Sequence, residues 1–197
     1  MENTILNQID ESISVKNKIR KNKFLITKIK DAAMIVINAY NNGNKTLLAG
    51  NGGSAADAQH IAGEFVSKFN FDRPGLPSIA LTTDTSILTA IGNDYGYDKL
   101  FARQVQALGN KGDVFIGIST SGNSKNLVEA LKTCKEKGIF SIGLTGILGG
   151  EMADLCDLCI KVPSNETPRI QESHILIGHI ICCIVEENIF GHLDPNK

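Results

Sequence analysis

Lys45–Phe65 reads KTLLAGNGGSAADAQHIAGEF. Its first residues, Thr46–Gly50, form a short apolar run. Glycines at 50, 52 and 53 follow, and then a stretch of helix formers that carries His60 and Glu64 four residues apart. The pattern is strand, glycine turn, helix. Glycines let a backbone come close to a ligand and take left-handed conformations. Ser54 is the expected N-cap, and the helix start behind it favours an anion. The spacing of His60 and Glu64 puts both on one helix face.

The same unit recurs along the chain. Thr46–Gly50, Ser78–Thr82, Asp113–Ser119, Phe140–Thr145 and Leu158–Pro163 are nearly continuous apolar runs. Unbroken apolarity, rather than alternation, marks strands covered on both faces of a parallel sheet. Helical patterns fall between them at Ser54–Phe69, Ser86–Leu108 (with a break near Asn93–Gly96), Asn123–Lys137 and Gly149–Cys156. The alternation predicts a doubly wound α/β domain with its ligand at the carboxyl ends of the strands. Two helices over residues 3–41 and one long helix over 168–190 stand outside the alternation.

Bulk properties are those of a soluble domain. The chain has 197 residues, 42% of them hydrophobic and 21% charged, with a formal net charge of -1. Nothing global steers it to nucleic acid or to an anionic membrane. No uninterrupted apolar run predicts a membrane span, and the N-terminus MENTILNQIDES lacks the pattern of a signal peptide. A cytoplasmic location is expected. The five cysteines are expected to be reduced thiols, with the Cys156-x-x-Cys159 pair acting as small hydrophobes. Seven Lys or Arg lie between Lys16 and Lys30 without an acid. A solvated helix face explains them, and a partner surface is the sharper alternative.

Two loops suggest anion binding. Gly50-x-Gly52-x-x-Ala55 fits a loose dinucleotide fingerprint, but that motif wants an acid about 20 residues on. Here the second strand ends near Asp84, more than 30 residues later. The second loop, Ser119-Thr120-Ser121-Gly122-Asn123-Ser124, sets four hydroxyls where a strand meets a helix. One hydroxyl on Ser121, or the Asn123 amide, would suffice for a cap. Four, with the N–H groups of a helix start, make a cradle for a phosphate monoester. There is no GxxxxGK[ST] motif for a nucleoside triphosphate.

The acid–base candidates are His60 and Glu64 on one helix and Gln171 and His179 on the last. Imidazole, carboxylate and amide oxygen suit a divalent metal such as zinc. The same groups suit proton transfer, with Glu taking a carbon-bound proton and His serving an oxygen. His174, three residues after Gln171, competes for the same face.

Four blocks, GNGGSAADAQHIAGEF, LTTDTSILTAIGNDYGYDKLFARQV, GISTSGNSKN and RIQESHILIGHIICCIVEE, resemble the sugar isomerase (SIS) superfamily and, more closely, its phosphoheptose isomerases. The resemblance runs from about Ile5 to Phe190. It implies an α/β fold with a five-stranded parallel sheet, three-layered and flavodoxin-like. Residues 1–41 would be a helical oligomerisation segment, and 42–197 the SIS domain with its C-terminal helix. It implies conversion of sedoheptulose 7-phosphate to D-glycero-D-manno-heptose 7-phosphate through an enediol, for bacterial surface glycans. It also implies a cytoplasmic homotetramer with sites at subunit interfaces and one zinc per subunit.

By the resemblance, Ser119, Thr120, Ser121 and Ser124 hold phosphate. Asn51, Gly52, Gly53 and Ser54 line the sugar, Asn93 and Asp94 contact its hydroxyls, and Gln171 also touches substrate. Glu64 is the base and His179 the acid, while His60, Glu64, Gln171 and His179 are the zinc ligands. The chain departs from some members at Thr167-Pro168-Arg169, where they carry an acid before Arg-Ile-Gln. Two other readings remain open: a SIS-type module that binds a replication initiator, and an isomerase or regulator for another sugar phosphate such as a hexose 6-phosphate.

Overall fold

The computed structural model describes residues 1–195. Two helices open the chain, α1 (Glu2–Lys21) and α2 (Lys23–Asn41), divided at Asn22, whose side chain caps α2 by accepting from the Leu25 N–H. Then follow β1 (Thr46–Gly50), α3 (Gly53–Val66), β2 (Ser78–Ala80), α4 (Thr85–Tyr95), a single 3-10 turn (Tyr97–Lys99) and α5 (Leu100–Leu108). The second half runs β3 (Val114–Ser119), α6 (Lys125–Lys137), β4 (Phe140–Thr145), α7 (Met152–Leu155), β5 (Leu158–Lys161) and α8 (Thr167–Phe190).

The five strands are all parallel, in the order β2-β1-β3-β4-β5. Because side chains alternate across a sheet, neighbouring rows go to opposite cores. Leu48, Ile116 and Ile142 share a register row and join a core with α2, α3 and α8. The next row, Leu47 and Phe115, faces α5, α6 and α7. The strand order reverses between β1 and β3, and in open sheets the ligand crevice forms beyond the carboxyl ends at that point.

Several boundaries differ from the sequence reading. β2 stops at Ala80 rather than Thr82 because it is an edge strand, and Thr82 and Thr83 turn their hydroxyls to the carbonyls of Ala55 and Ala80. The expected break in the helical run over 86–108 falls at Gly96, whose φ of 84° is a left-handed value. The N-cap of α3 is Gly52, not Ser54; Ser54 is buried inside the first turn. All five cysteines are free, as expected. Within the basic stretch, Lys28 donates to the Cys159 carbonyl and Lys16 reaches Glu172.

By length and composition α8 is the one described helix apolar enough to cross a membrane. Its inner face instead packs in the core through Ile170, Ile177, Ile181 and Val185. At the amino edge of the sheet, Asp113 is 1% exposed and accepts from Lys45 Nζ at 2.6 Å, Lys45 N at 3.0 Å and Asn110 N at 2.8 Å. This ties the entrance of β1 to that of β3.

His174 is fully buried behind the end of β4, with Nε2 3.1 Å from the Thr145 carbonyl. Burial pushes its pKa down from 6.5 to about 4, despite that hydrogen bond. The unfolded chain therefore takes up a proton near pH 6.5 that the folded chain refuses until about pH 4. The stability due to neutral His174 is whole above pH 6.5 and drains away as pH falls toward 4. At ~1.4 kcal/mol per unit this is on the order of 3 kcal/mol. Urea midpoints of the wild type should fall more steeply across that window than those of His174→Gln.

Candidate active site

Helices α3 and α8 lie side by side and run the same way. Gly53 meets Gln171, Ile61 meets Gly178, and Phe69 beyond α3 meets Glu186. At the middle contact a Cβ on Gly178 would lie 2.5 Å from Ile61 Cδ1. A side chain there would force Ile61 to shift. His60 precedes Ile61 and His179 follows Gly178, so the tight crossing delivers both rings to one place. Their Nε2 atoms are 2.8 Å apart, and Glu64 Oε1 stands 3.2 Å from His60 Nε2. One donor atom from each of His60, Glu64 and His179 lies within 4.8 Å of the others. Glu64 Oε2 makes no hydrogen bond among the described residues. The face of Phe69 closes one side, its ring centre 5.6 Å from that of His179.

Two imidazole nitrogens and a carboxylate oxygen converging on one spot offer three potential ligand atoms. That is a donor set for a divalent cation of the zinc type. Gln171 sets its amide against the start of α3, where a Cβ on Gly53 would sit 2.6 Å from Nε2.

The hydroxyl loop forms the second half. Ser119 Oγ is 3.0 Å from Ser124 Oγ and 3.4 Å from Ser121 Oγ. It also accepts the Gly122 N–H at 3.1 Å, while Ser121 Oγ accepts that of Asn123. Ser124 is the N-cap of α6 but spends no side-chain bond on capping. Its hydroxyl and the first N–H groups of a 13-residue helix therefore face the loop. Gly122, with φ of 70°, lets the loop pass the 146–150 turn; a Cβ there would strike the Gly149 carbonyl. Thr120 is half-buried, and its carbonyl accepts the Gly146 N–H.

Asn51 links the two halves. Its Oδ1 accepts from Asn126 Nδ2 at 2.9 Å and from the Tyr97 hydroxyl at 2.8 Å. Its Nδ2 donates to Asn126 Oδ1 at 3.0 Å. These bonds cross the crevice between β1 and β3 and leave one amide N–H of Asn51 unspent. A cavity of about 320 Å³ opens beside it, lined by Gly50, Asn51, Thr82, Leu88, Tyr97 and Phe101. Clefts of about 560 and 550 Å³ along α1 and at the amino edge share no residue with it.

Sequence reasoning missed Asn126 and Tyr97. Asn126 had a signal: it is the one amide among the buried positions of α6, beside Leu127, Ala130 and Leu131. Tyr97 had none beyond its place after Gly96. Asn93 and Asp94 are exposed at the end of α4 and hydrogen-bond to each other, not to the other expected site residues.

A family model described as SIS domain matches residues 9–146. Beyond the domain class, a phosphoheptose isomerase 2 of Campylobacter jejuni is 76% identical over 181 residues, covering 92% of this chain and 90% of that one. A phosphoheptose isomerase of Aneurinibacillus thermoaerophilus is 69% identical over 190 residues, 96% of each chain. The solved phosphoheptose isomerase of Neisseria gonorrhoeae superposes with a TM-score of 0.88 at 44% identity, over 94% of this chain and 98% of that one. The chain belongs to the SIS-domain family and, within it, to the phosphoheptose isomerases.

The crossing at Gly178 is open to test. Gly178→Ala should destabilise the fold by about 1–3 kcal/mol through overpacking and separate the two histidines, lowering activity. Adding Ile61→Val removes Cδ1 and should recover part of both, read by urea unfolding and initial rates.

Proposed function

We propose that the chain isomerises sedoheptulose 7-phosphate to D-glycero-D-manno-heptose 7-phosphate, supplying heptose for a bacterial surface glycan. The observation that carries this reading is the convergence of Glu64 and His179 from two helices onto one spot, in a chain whose β3–α6 loop forms a serine cradle suited to phosphate. Phosphoheptose isomerases among the relatives, at 76% and 69% identity, support the same reaction. They also favour it over a hexose phosphate or an initiator-binding role.

Ser119, Thr120, Ser121 and Ser124 anchor the phosphate, with the α6 N-terminus supplying N–H donors and a favourable dipole. Anchoring remote from the reacting carbons turns binding energy into orientation. Asn51 and the Gly52–Ser54 turn line the sugar. Glu64 takes the proton from C1 of the ketose as His179 gives one to O2, and the enediol forms. Return of the proton to C2, with loss of the O1 proton, gives the aldehyde. A positioned acid or base contributes roughly 10²–10⁴-fold.

His60, Glu64 and His179, with Gln171 on the same pair of helices, would hold a zinc ion. Bound there, zinc would supply positive charge beside the reacting oxygens. In this reading Glu64 serves both roles through its two oxygens: Oε1 faces His60, and Oε2 makes no hydrogen bond among the described residues.

The site reading extends to an assembly of four copies. None of the 11 residues of α4 is buried in one chain, although Ile87, Leu88 and Ile91 are apolar. Ile5, Leu6, Ile9 and Ile13 of α1 are 50–58% exposed along one helix stripe. Covering the exposed half of each side chain is worth roughly 1 kcal/mol. A partner copy over these surfaces would bring further groups toward Asn93 and Asp94.

Incubation with sedoheptulose 7-phosphate, with product followed by NMR, tests the reaction. Glu64→Gln and His179→Gln should each lose at least about 10²-fold in kcat while keeping the fold, and a chelator should lower turnover. Wild-type rates in Glu64→Gln would remove the proposed base. Separately, Ile9→Lys with Ile13→Lys should shift the sedimentation mass from a tetramer to a smaller species.

A further inference from the structure

Beyond the convergent triad lies a buried pair of charges that the reaction does not use. The side chains of Arg73 and Glu186 are each 1% exposed, with Arg73 Nε 3.0 Å from Glu186 Oε1. Glu186 uses both oxygens: Oε1 also accepts the Phe69 N–H at 2.7 Å, and Oε2 accepts that of Asn70 at 2.6 Å. Arg73 spends three more donors on main-chain carbonyls, two of them at the end of α3. Nη2 reaches the Glu64 carbonyl at 2.8 Å and Nη1 the Phe65 carbonyl at 2.7 Å, with Pro74 at 3.0 Å. Its guanidinium also lies over the Phe190 ring, 5.6 Å from the centre. The last carbonyls of a helix lack partners of their own, and a cation suits that end.

Each contact leads to the triad. Arg73 holds the main chain of Glu64 itself. Glu186 stands seven residues after His179, two turns along the same face of α8. The Phe69 N–H that Glu186 holds belongs to the residue whose ring packs on His179. Removing two charges from water is costly, and well-packed apolar residues often stabilise a core as well or better. Stability alone does not call for ions here, whereas fixed geometry between two helices does.

We propose that Arg73 and Glu186 are positioning residues: a buried clamp that fixes the end of α3 and the Phe69 wall against α8, and so sets Glu64 and His179 at working distance. The assignment rests on the isomerase reading for its kinetic consequence, not for its geometric one. The clamp's contacts run to the Glu64 and Phe69 segments and none reaches the serine cradle. Loosening it therefore lowers kcat and leaves KM nearly unchanged.

The test replaces the pair by apolar groups, Arg73→Met with Glu186→Leu, in the full chain. Arg73→Lys is the second variant; it keeps the charge but cannot span Glu186 and both carbonyls. Urea unfolding, kcat and KM on sedoheptulose 7-phosphate, and the absorption spectrum of added Co²⁺ are measured together. The expected result is a variant that unfolds near the wild-type midpoint, loses at least tenfold in kcat, keeps KM within about threefold, and shows an altered Co²⁺ spectrum. Where the double variant does not fold, the same kinetic and spectral changes are expected of Arg73→Lys. A folded variant of either kind with wild-type kcat and spectrum overturns the clamp. No turnover by the wild type would overturn the reaction assigned above, and the Co²⁺ spectra would still decide the clamp.

Discussion

The site depends on how closely two helices approach. Gly178 has no side chain, so Ile61 can press against the α8 backbone, and the histidines flanking that contact come within hydrogen-bond distance of each other. A parallel sheet offers no such geometry by itself; its strands end in loops. Here the convergent His60, Glu64 and His179 sit on helix faces, whose positions are set by packing in a dense core. The loops at β1 and β3 provide the other half, a surface of neutral donors for an anion. Asn51 and Asn126 pair their amides across the gap and make one crevice from two strand ends.

Much of this was legible in the sequence. Continuous apolar runs such as VFIGIS identify buried parallel strands because both faces of the sheet are covered. The i,i+4 pair of His60 and Glu64 and the cluster of serines after β3 were visible for the same local reasons. Tertiary placement was less so. That Gln171 touches Gly53, or that Tyr97 holds Asn51, depends on which elements become neighbours. Arg73 and Glu186 were not noticed, since a charge in a sequence looks solvated until its burial is known. Boundary errors have similar causes. β2 is short because an edge position gives it one neighbour, and Ser54 yields the cap to Gly52, whose φ of 56° and ψ of -123° only glycine takes readily.

The helices outside the β-α alternation have different uses. α8 is part of the core and carries His179, whereas α1 buries only Val15 and Ile19 and leaves its apolar stripe uncovered. α4 is in the same condition, with no buried residue in the isolated chain. These surfaces lie on both the helical extension and the sheet domain, so the boundary at residue 41 divides the chain by secondary structure more than by role.

The amino edge of the sheet is organised separately from the carboxyl edge. Asp113 gathers Lys45 and Asn110 at the entrances of β1 and β3, a full strand length from the serines and the Asn51 amide. The contacts of that anchor involve none of the side chains at the opposite edge. Thermal adaptation can thus proceed at one rim of the sheet while selection for substrate works at the other, and a lineage moving to a warmer or colder niche need not trade one for the other.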